Sequence, residues 1–161
     1  MLTEDARQDV ETFFKLHEER VRIYKKLESG HRDLLAAPAD QGETSDGTTP
    51  ATTDPFPAYR AAVAEATDGF SSVSQRVLAL LARMRNQPTA QECTDAVERI
   101  QELERRKLQM TCEMQLLAFQ QRQEPEDAVR ERTLRHLRQQ HATLIEDITD
   151  CLRTLRSELY D

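Results

Sequence analysis

The amino-acid pattern predicts an all-α protein, an elongated antiparallel four-helix bundle with coiled-coil-like seams and one long acidic loop. Charged residues make up 32% of the 161 and hydrophobic ones 38%, with only four glycines and no tryptophan, a balance that favours long amphipathic helices over a sheet. Apolar residues recur at alternating spacings of three and four along most of the chain, the signature of a helix that buries one stripe. Helix-breaking sequence is confined to one polar stretch and two short proline-containing hinges. The length suits a single helical domain over 1–161.

The first helix, about 4–36, carries two adjacent stripes. One is Val10, Phe14, His17, Val21, Tyr24, His31 and Leu35, and the other Phe13, Leu16, Ile23, Leu27 and Leu34. A face that wide meets more than one neighbour, as in a bundle. Residues 38–56, PADQGETSDGTTPATTDPF, follow with two of the four glycines, three of the six prolines, four acids and no lysine or arginine. Without apolar periodicity this stretch is expected to be a flexible loop.

The second helix, about 57–86, has the most regular seam: Tyr59, Val63, Ala66, Phe70, Val73, Val77, Leu80 and Met84. Pro57 suits its first turn, and Phe56 just before it is expected to fold back, either against this helix or into the space over Gly30. Asn86-Gln87-Pro88 breaks the pattern. The third helix, about 89–123, keeps the same beat through Cys93, Ala96, Ile100, Leu103, Lys107, Met110, Met114 and Leu117, with Thr89 and Glu92 at capping-box spacing. After Glu124-Pro125 the fourth, about 125–160, reads Leu134, Leu137, His141, Leu144, Ile148, Cys151 and Leu155, widened by Ile145, Leu152 and Leu159. Pro125 is expected in its first turn. At 1.5 Å per residue each helix is about 45 to 54 Å long. The short hinges make the last three antiparallel, while the long loop permits either direction for the first.

Function classes narrow on the same grounds. The net charge of −7 argues against a dedicated nucleic-acid coat or a binder of anionic membranes. No apolar run reaches the roughly 18 residues that span a bilayer, and MLTEDARQDV lacks the apolar core of a secretory leader. Cys93, Cys112 and Cys151, odd in number and without a C-x-x-C pair, are expected to be reduced thiols of an intracellular protein, Cys93 and Cys151 as small apolar residues of a seam. His17, His31, His136 and His141 show no metal-ligand spacing, and no phosphate loop, dinucleotide fingerprint or nucleophile elbow occurs. The acids interleave with basic residues on what read as solvated helix faces. The expectation is a protein that is not an enzyme and needs no metal or cofactor. Arg130, Arg132, Arg135 and Arg138 form a candidate basic patch, but Glu126, Asp127 and Glu131 interrupt it and no aromatic residue is interleaved for stacking. Direct nucleic-acid contact is therefore not expected, and the partners are expected to be proteins, helical or part of a large assembly.

Two motifs carry more information than the seams. KLESGHRDLL, residues 26–35, closes the first helix, and FPAYRAAVAEATDGF, residues 56–70, opens the second. Through Leu27, Glu28, Gly30, His31 and Arg32, then Phe56, Pro57, Tyr59 and Arg60, the sequence resembles the "required for excision 1-B" domain family of small helical proteins. That resemblance implies an accessory role linked to DNA excision repair, with no catalytic residue or cofactor. The alternative reading is a structural adaptor in an assembly such as the cytoskeleton or the ciliary axoneme. Physically, Gly30 inside a helix costs about 1 kcal/mol relative to alanine, so a close approach by another segment is expected there. Gly30, His31, Arg32, Phe56, Tyr59 and Arg60 are the candidate interaction residues, with the Tyr59 hydroxyl expected to turn towards His31 or Arg32.

Overall fold

The computed structural model describes residues 1–37 and 54–160, so most of the expected acidic loop, 38–53, lies outside the described residues. Four long helices account for nearly all of them: α1 (Glu4–Ala36), α2 (Phe56–Met84), α3 (Gln91–Gln123) and α4 (Ala128–Tyr160), with a short 3-10 turn, Pro88–Ala90, leading into α3. Among the described residues there is no strand, and no helix is long and apolar enough to cross a membrane.

Each helix starts for a local reason. The Thr3 hydroxyl accepts from the Ala6 amide at 3.2 Å, and Glu4 and Asp5 place negative charge in the first turn of α1. The Asp54 carboxylate accepts from the Phe56 amide at 3.0 Å, with Pro55 at the cap and Pro57 in the first turn of α2. The expected capping box at Thr89 and Glu92 does not form. Thr89 lies inside the 3-10 turn, one residue ahead of the cap position Ala90, and no side chain caps α3. The fourth helix begins at Ala128 rather than at Pro125, because Asp127 supplies the acceptor, taking the Arg130 amide at 3.0 Å.

Cross-helix bonds set the directions. Asp9–Arg83 at 3.2 Å, Glu19–Arg76 at 2.6 Å and Lys26–Glu65 at 3.5 Å pair ascending numbers with descending ones, so α1 runs antiparallel to α2. This settles the orientation that the loop length left open. The close antiparallel pairs are α1 with α2 and α3 with α4, and α3 also lies parallel against α1. Neither α1 nor α4 has a basic residue in its last turn. Arginines from other helices serve the terminal carbonyls instead: Arg122 donates to Leu34 O at 3.0 Å and to Ala37 O, and Arg7 donates to Leu159 O.

The apolar interior falls into two clusters. The larger fills the half where α1 begins and α2 ends, around Phe13, Val77, Leu80, Met84, Ile100 and Leu155. The smaller gathers Tyr24, Leu27, Ala66 and Phe70. Every α2 seam position from Ala66 to Met84 is buried, as its spacing predicts. Elsewhere the spacing is less exact a guide: Ile145 is 43% exposed, because α4 turns that side to solvent. Of the expected buried cysteines, Cys93 is fully covered and Cys151 half-buried. Met110, Met114, Leu117 and Lys107 are half-buried rather than enclosed.

Candidate functional site

The two sequence motifs meet. Gly30 faces α2 so closely that a Cβ there would lie 2.9 Å from the Cβ of Ala62, which is why a glycine stands inside α1. The close approach brings the His31 ring to 5.9 Å from the Tyr59 ring. Both side chains then reach α3 at one residue. The Tyr59 hydroxyl donates to Gln115 Oε1 at 2.7 Å, and His31 Nε2 lies 3.0 Å from the backbone oxygen of Gln115. Burial lowers the His31 pKa, against a smaller upward pull from that bond, and burial raises the Tyr59 pKa. A neutral imidazole with its proton on Nε2 and an un-ionised phenol are the forms that donate to these two acceptors.

Two expectations are corrected here, the second in part. The Tyr59 hydroxyl turns to Gln115 and not to His31 or Arg32, because a buried amide oxygen is the acceptor in reach. Of the two places expected for Phe56, the space over Gly30 is filled by Ala62, while the contact with its own helix is made, 6.3 Å from the Tyr59 ring. As the first residue of α2, Phe56 also sends its half-buried ring to α3, 5.8 Å from Phe119, with the Arg60 guanidinium 4.7 Å above it. Arg32 is exposed. Gln115, 6% exposed, is the residue that sequence reasoning missed. Its only sequence signal is register, since it follows Thr111, another buried polar residue, by one helical turn.

Between the two apolar clusters lies a charged layer. Arg20 and Glu104 are 3% and 5% exposed, so these two side chains depart from the solvated faces expected of the charged residues, whereas Arg22, Lys25 and Lys26 of α1 are exposed as expected. Arg20 reaches Gln101 Oε1 at 2.6 Å; Glu104 lies 4.0 Å from His17 Nδ1 and 3.9 Å from Lys107 Nζ, which in turn sits 4.0 Å over the Tyr24 ring. The His17 pKa is lowered to about 4, first by burial and then by Arg20, Lys107 and Arg156. Burial above all, and then these three cations, keep the imidazole neutral. Asp9 is likewise buried, accepting from Arg83 and, at 2.8 Å, from Gln87 at the α2–α3 hinge.

Beside the junction, a cleft of about 820 Å³ lies between α2 and α3. Its walls are largely apolar or small, from Phe56, Val63 and Phe70 on one side to Leu108, Leu116 and Phe119 on the other, and among the described residues Arg60 is its one charged lining residue. A smaller cleft of about 440 Å³ adjoins it between α2 and α3, with Arg20 and Tyr24 of α1 at its floor, sharing Phe70, Ser74 and Leu108. Cys112 opens into the larger cleft, its thiol pKa raised chiefly by burial, so it remains protonated.

The α4 arginines do not form a common patch of free cations. Arg130 is tied to Asp127 at 3.4 Å, to Glu124 at 3.7 Å and to the Gln120 carbonyl at 3.2 Å, and Arg135 pairs with Glu131 at 3.5 Å. Arg132 and Arg138 are exposed. Among the described residues no group of three or more His, Cys, Asp or Glu is gathered as metal ligands would be.

A family model described as DNA repair REX1-B matches residues 8–118, which takes in α1, α2 and α3 as far as the Gln115 junction. The chain is also 27% identical over 150 residues to a "Required for excision 1-B domain-containing protein" of Bos taurus, across 93% of this chain and 74% of that protein. No solved structure matches the chain.

Proposed function

The chain belongs to the DNA repair REX1-B family, and from that membership we propose that it serves DNA excision repair as a non-enzymatic interaction protein, working through protein partners rather than by gripping DNA. The observation that carries this reading is the use made of the two motifs. Gly30, His31, Phe56 and Tyr59 hold three helices together around Gln115, and what lies open beside them is an apolar cleft rather than a set of polarised reacting groups. Apolar concave surface with a single cation is suited to holding another polypeptide.

The test is made in cells lacking the protein. Their survival after ultraviolet irradiation should fall and be restored by the intact chain, and a tagged copy should gather at irradiated chromatin rather than on cytoskeletal or axonemal structures. Unchanged survival and lesion removal in the null cells would sink the repair reading. The purified chain should show no micromolar affinity for duplex or single-stranded DNA at about 0.15 M salt, where phosphate contacts alone are weak. Tight binding there, lost in the Arg132→Ala, Arg135→Ala double variant, would replace protein contact by DNA contact.

A further inference from the structure

The outer edge of α2 has a second seam, on the side away from α1. Arg60, Ala64, Thr67, Ser71, Ser74 and Leu78 follow one another at spacings of 4-3-4-3-4, the beat of a helix packed along its whole length. They line the continuous cleft between α2 and α3, and all but the half-buried Ser74 are exposed. The wall they form is built of small side chains over Ala64 to Ser74, whereas the facing wall carries Leu108, Leu116 and Phe119. Leu78 and Leu116, 55% and 57% exposed, both border this cleft, so the exposed bulky apolar surface of the two helices is concentrated there. From Arg60 to Leu78 the seam is about 27 Å long, five helical turns.

The charges along it are unequal. Towards the hinge, Arg85 pairs with Glu98 at 2.9 Å and Arg105 with Glu102 at 2.9 Å. Arg60, at the other end, makes no ion pair among the described residues, and its guanidinium lies 4.7 Å over the Phe56 ring at the edge of the cleft. A guanidinium held over a ring by its carbon still has N–H groups to offer a carboxylate. We propose that this cleft is a docking site for one amphipathic helix of a partner protein. That helix has large aliphatic side chains at alternating three- and four-residue spacing, which enter between the small residues of α2, and an aspartate or glutamate at one end, which meets Arg60. Among the described residues a second copy of this chain offers no such helix: its other exposed bulky apolar residues away from the termini, Val129 and Ile145, stand 16 positions apart on α4 and form no stripe.

The inference rests on the reading that the chain works through protein contacts, and it is tested separately from it. The probe is a synthetic helical peptide of about 20 residues, long enough to follow the five turns, with leucines at that spacing on one face, neutral polar residues on the other and one terminal glutamate. Titrated into the labelled full chain, it should shift the amide resonances of Ala64, Thr67, Ser71, Leu116 and Phe119 in a saturable manner. Replacing its glutamate by lysine should weaken binding about fivefold, as for an exposed ion pair, and Arg60→Glu in the protein should restore binding of the lysine peptide. Ser71→Trp, an exposed position whose bulk fills the cleft, should abolish binding with the melting temperature unchanged. Absence of saturable shifts, shifts confined to other faces, or indifference to the charge exchange would overturn the proposal. So would a concentration-dependent dimer, seen by sedimentation, that Ser71→Trp dissociates. Such a failure leaves the survival defect of null cells in place, whereas failure of the repair reading removes that defect and leaves peptide binding intact.

Discussion

Gly30→Ala is a small perturbation whose sign follows from geometry. In an unconstrained helix interior the change stabilises, by about 1 kcal/mol, because alanine loses less backbone freedom on folding. Here the new methyl would sit 2.9 Å from the Cβ of Ala62, a carbon fixed to the backbone of α2 that cannot rotate aside. Relief requires α1 and α2 to separate locally by several tenths of an ångström, and overpacking of this kind costs about 1 to 3 kcal/mol. It also strains the His31 and Tyr59 bonds to Gln115, which depend on the same approach. The net expectation is a loss of about 1 kcal/mol, read as a fall of roughly 2 to 4 °C in melting temperature. Gly69 is the internal control. A Cβ there meets Ile23 Cδ1, also at 2.9 Å, but that atom is the end of a rotatable side chain. Gly69→Ala should therefore be neutral or stabilise by up to about 0.5 kcal/mol. Combining Gly30→Ala with Ala62→Gly removes the clash and should return stability close to the starting value, a coupling that a double-mutant cycle in urea measures directly. If Gly30→Ala alone proves as stable as the parent, the helices are not held at contact distance and the packing argument fails.

Three further outcomes are expected. Phe70→Ala, which empties the centre of the smaller cluster opposite Tyr24 at 4.6 Å, should cost about 3 to 5 kcal/mol in chemical denaturation; a loss below 1 kcal/mol would deny that cluster. Phe56→Ala, removing a half-buried ring between Phe119 and Arg60, should cost about 2 kcal/mol, and an unchanged melting curve would mean the ring anchors nothing internal. His17 makes stability depend on pH. Its folded pKa of about 4 lies below the ordinary 6.5, so its contribution is complete above pH 6.5 and is lost as pH falls towards 4, by on the order of 3 kcal/mol; His17→Gln should flatten that interval, and an unchanged profile would refute the assignment.

Where one residue type settles its own position, the sequence was a good guide. The α2 seam from Ala66 to Met84 was legible because its residues are small or aliphatic and repeat without a break. Gly30 was legible as a close approach because glycine has little other reason to stand in a helix. The helix ends at Thr89 and Pro125 were misplaced because several neighbouring residues compete to cap, and the tertiary register chooses among them. Arg20, Glu104 and Gln115 could not be recognised as interior. A charged or amide side chain on a helix looks solvated until the partner that shields it is known, and those partners lie 81 to 84 positions away for Arg20–Gln101 and His31–Gln115.

The charged layer of His17, Arg20, Glu104 and Lys107 should divide one continuous set of helices into two thermodynamic compartments. The half containing Phe13, Val77 and Leu155 holds many more enclosed side chains than the half containing Tyr24 and Phe70. Amide hydrogens around Val77 and Ile100 should therefore exchange with solvent only through complete unfolding. Those of α2 ahead of Phe70, and of α3 beyond Lys107, should exchange through cheaper, partial opening. Protection would then step down along each helix as it crosses the layer, placing the softer segment at the end that holds the larger cleft.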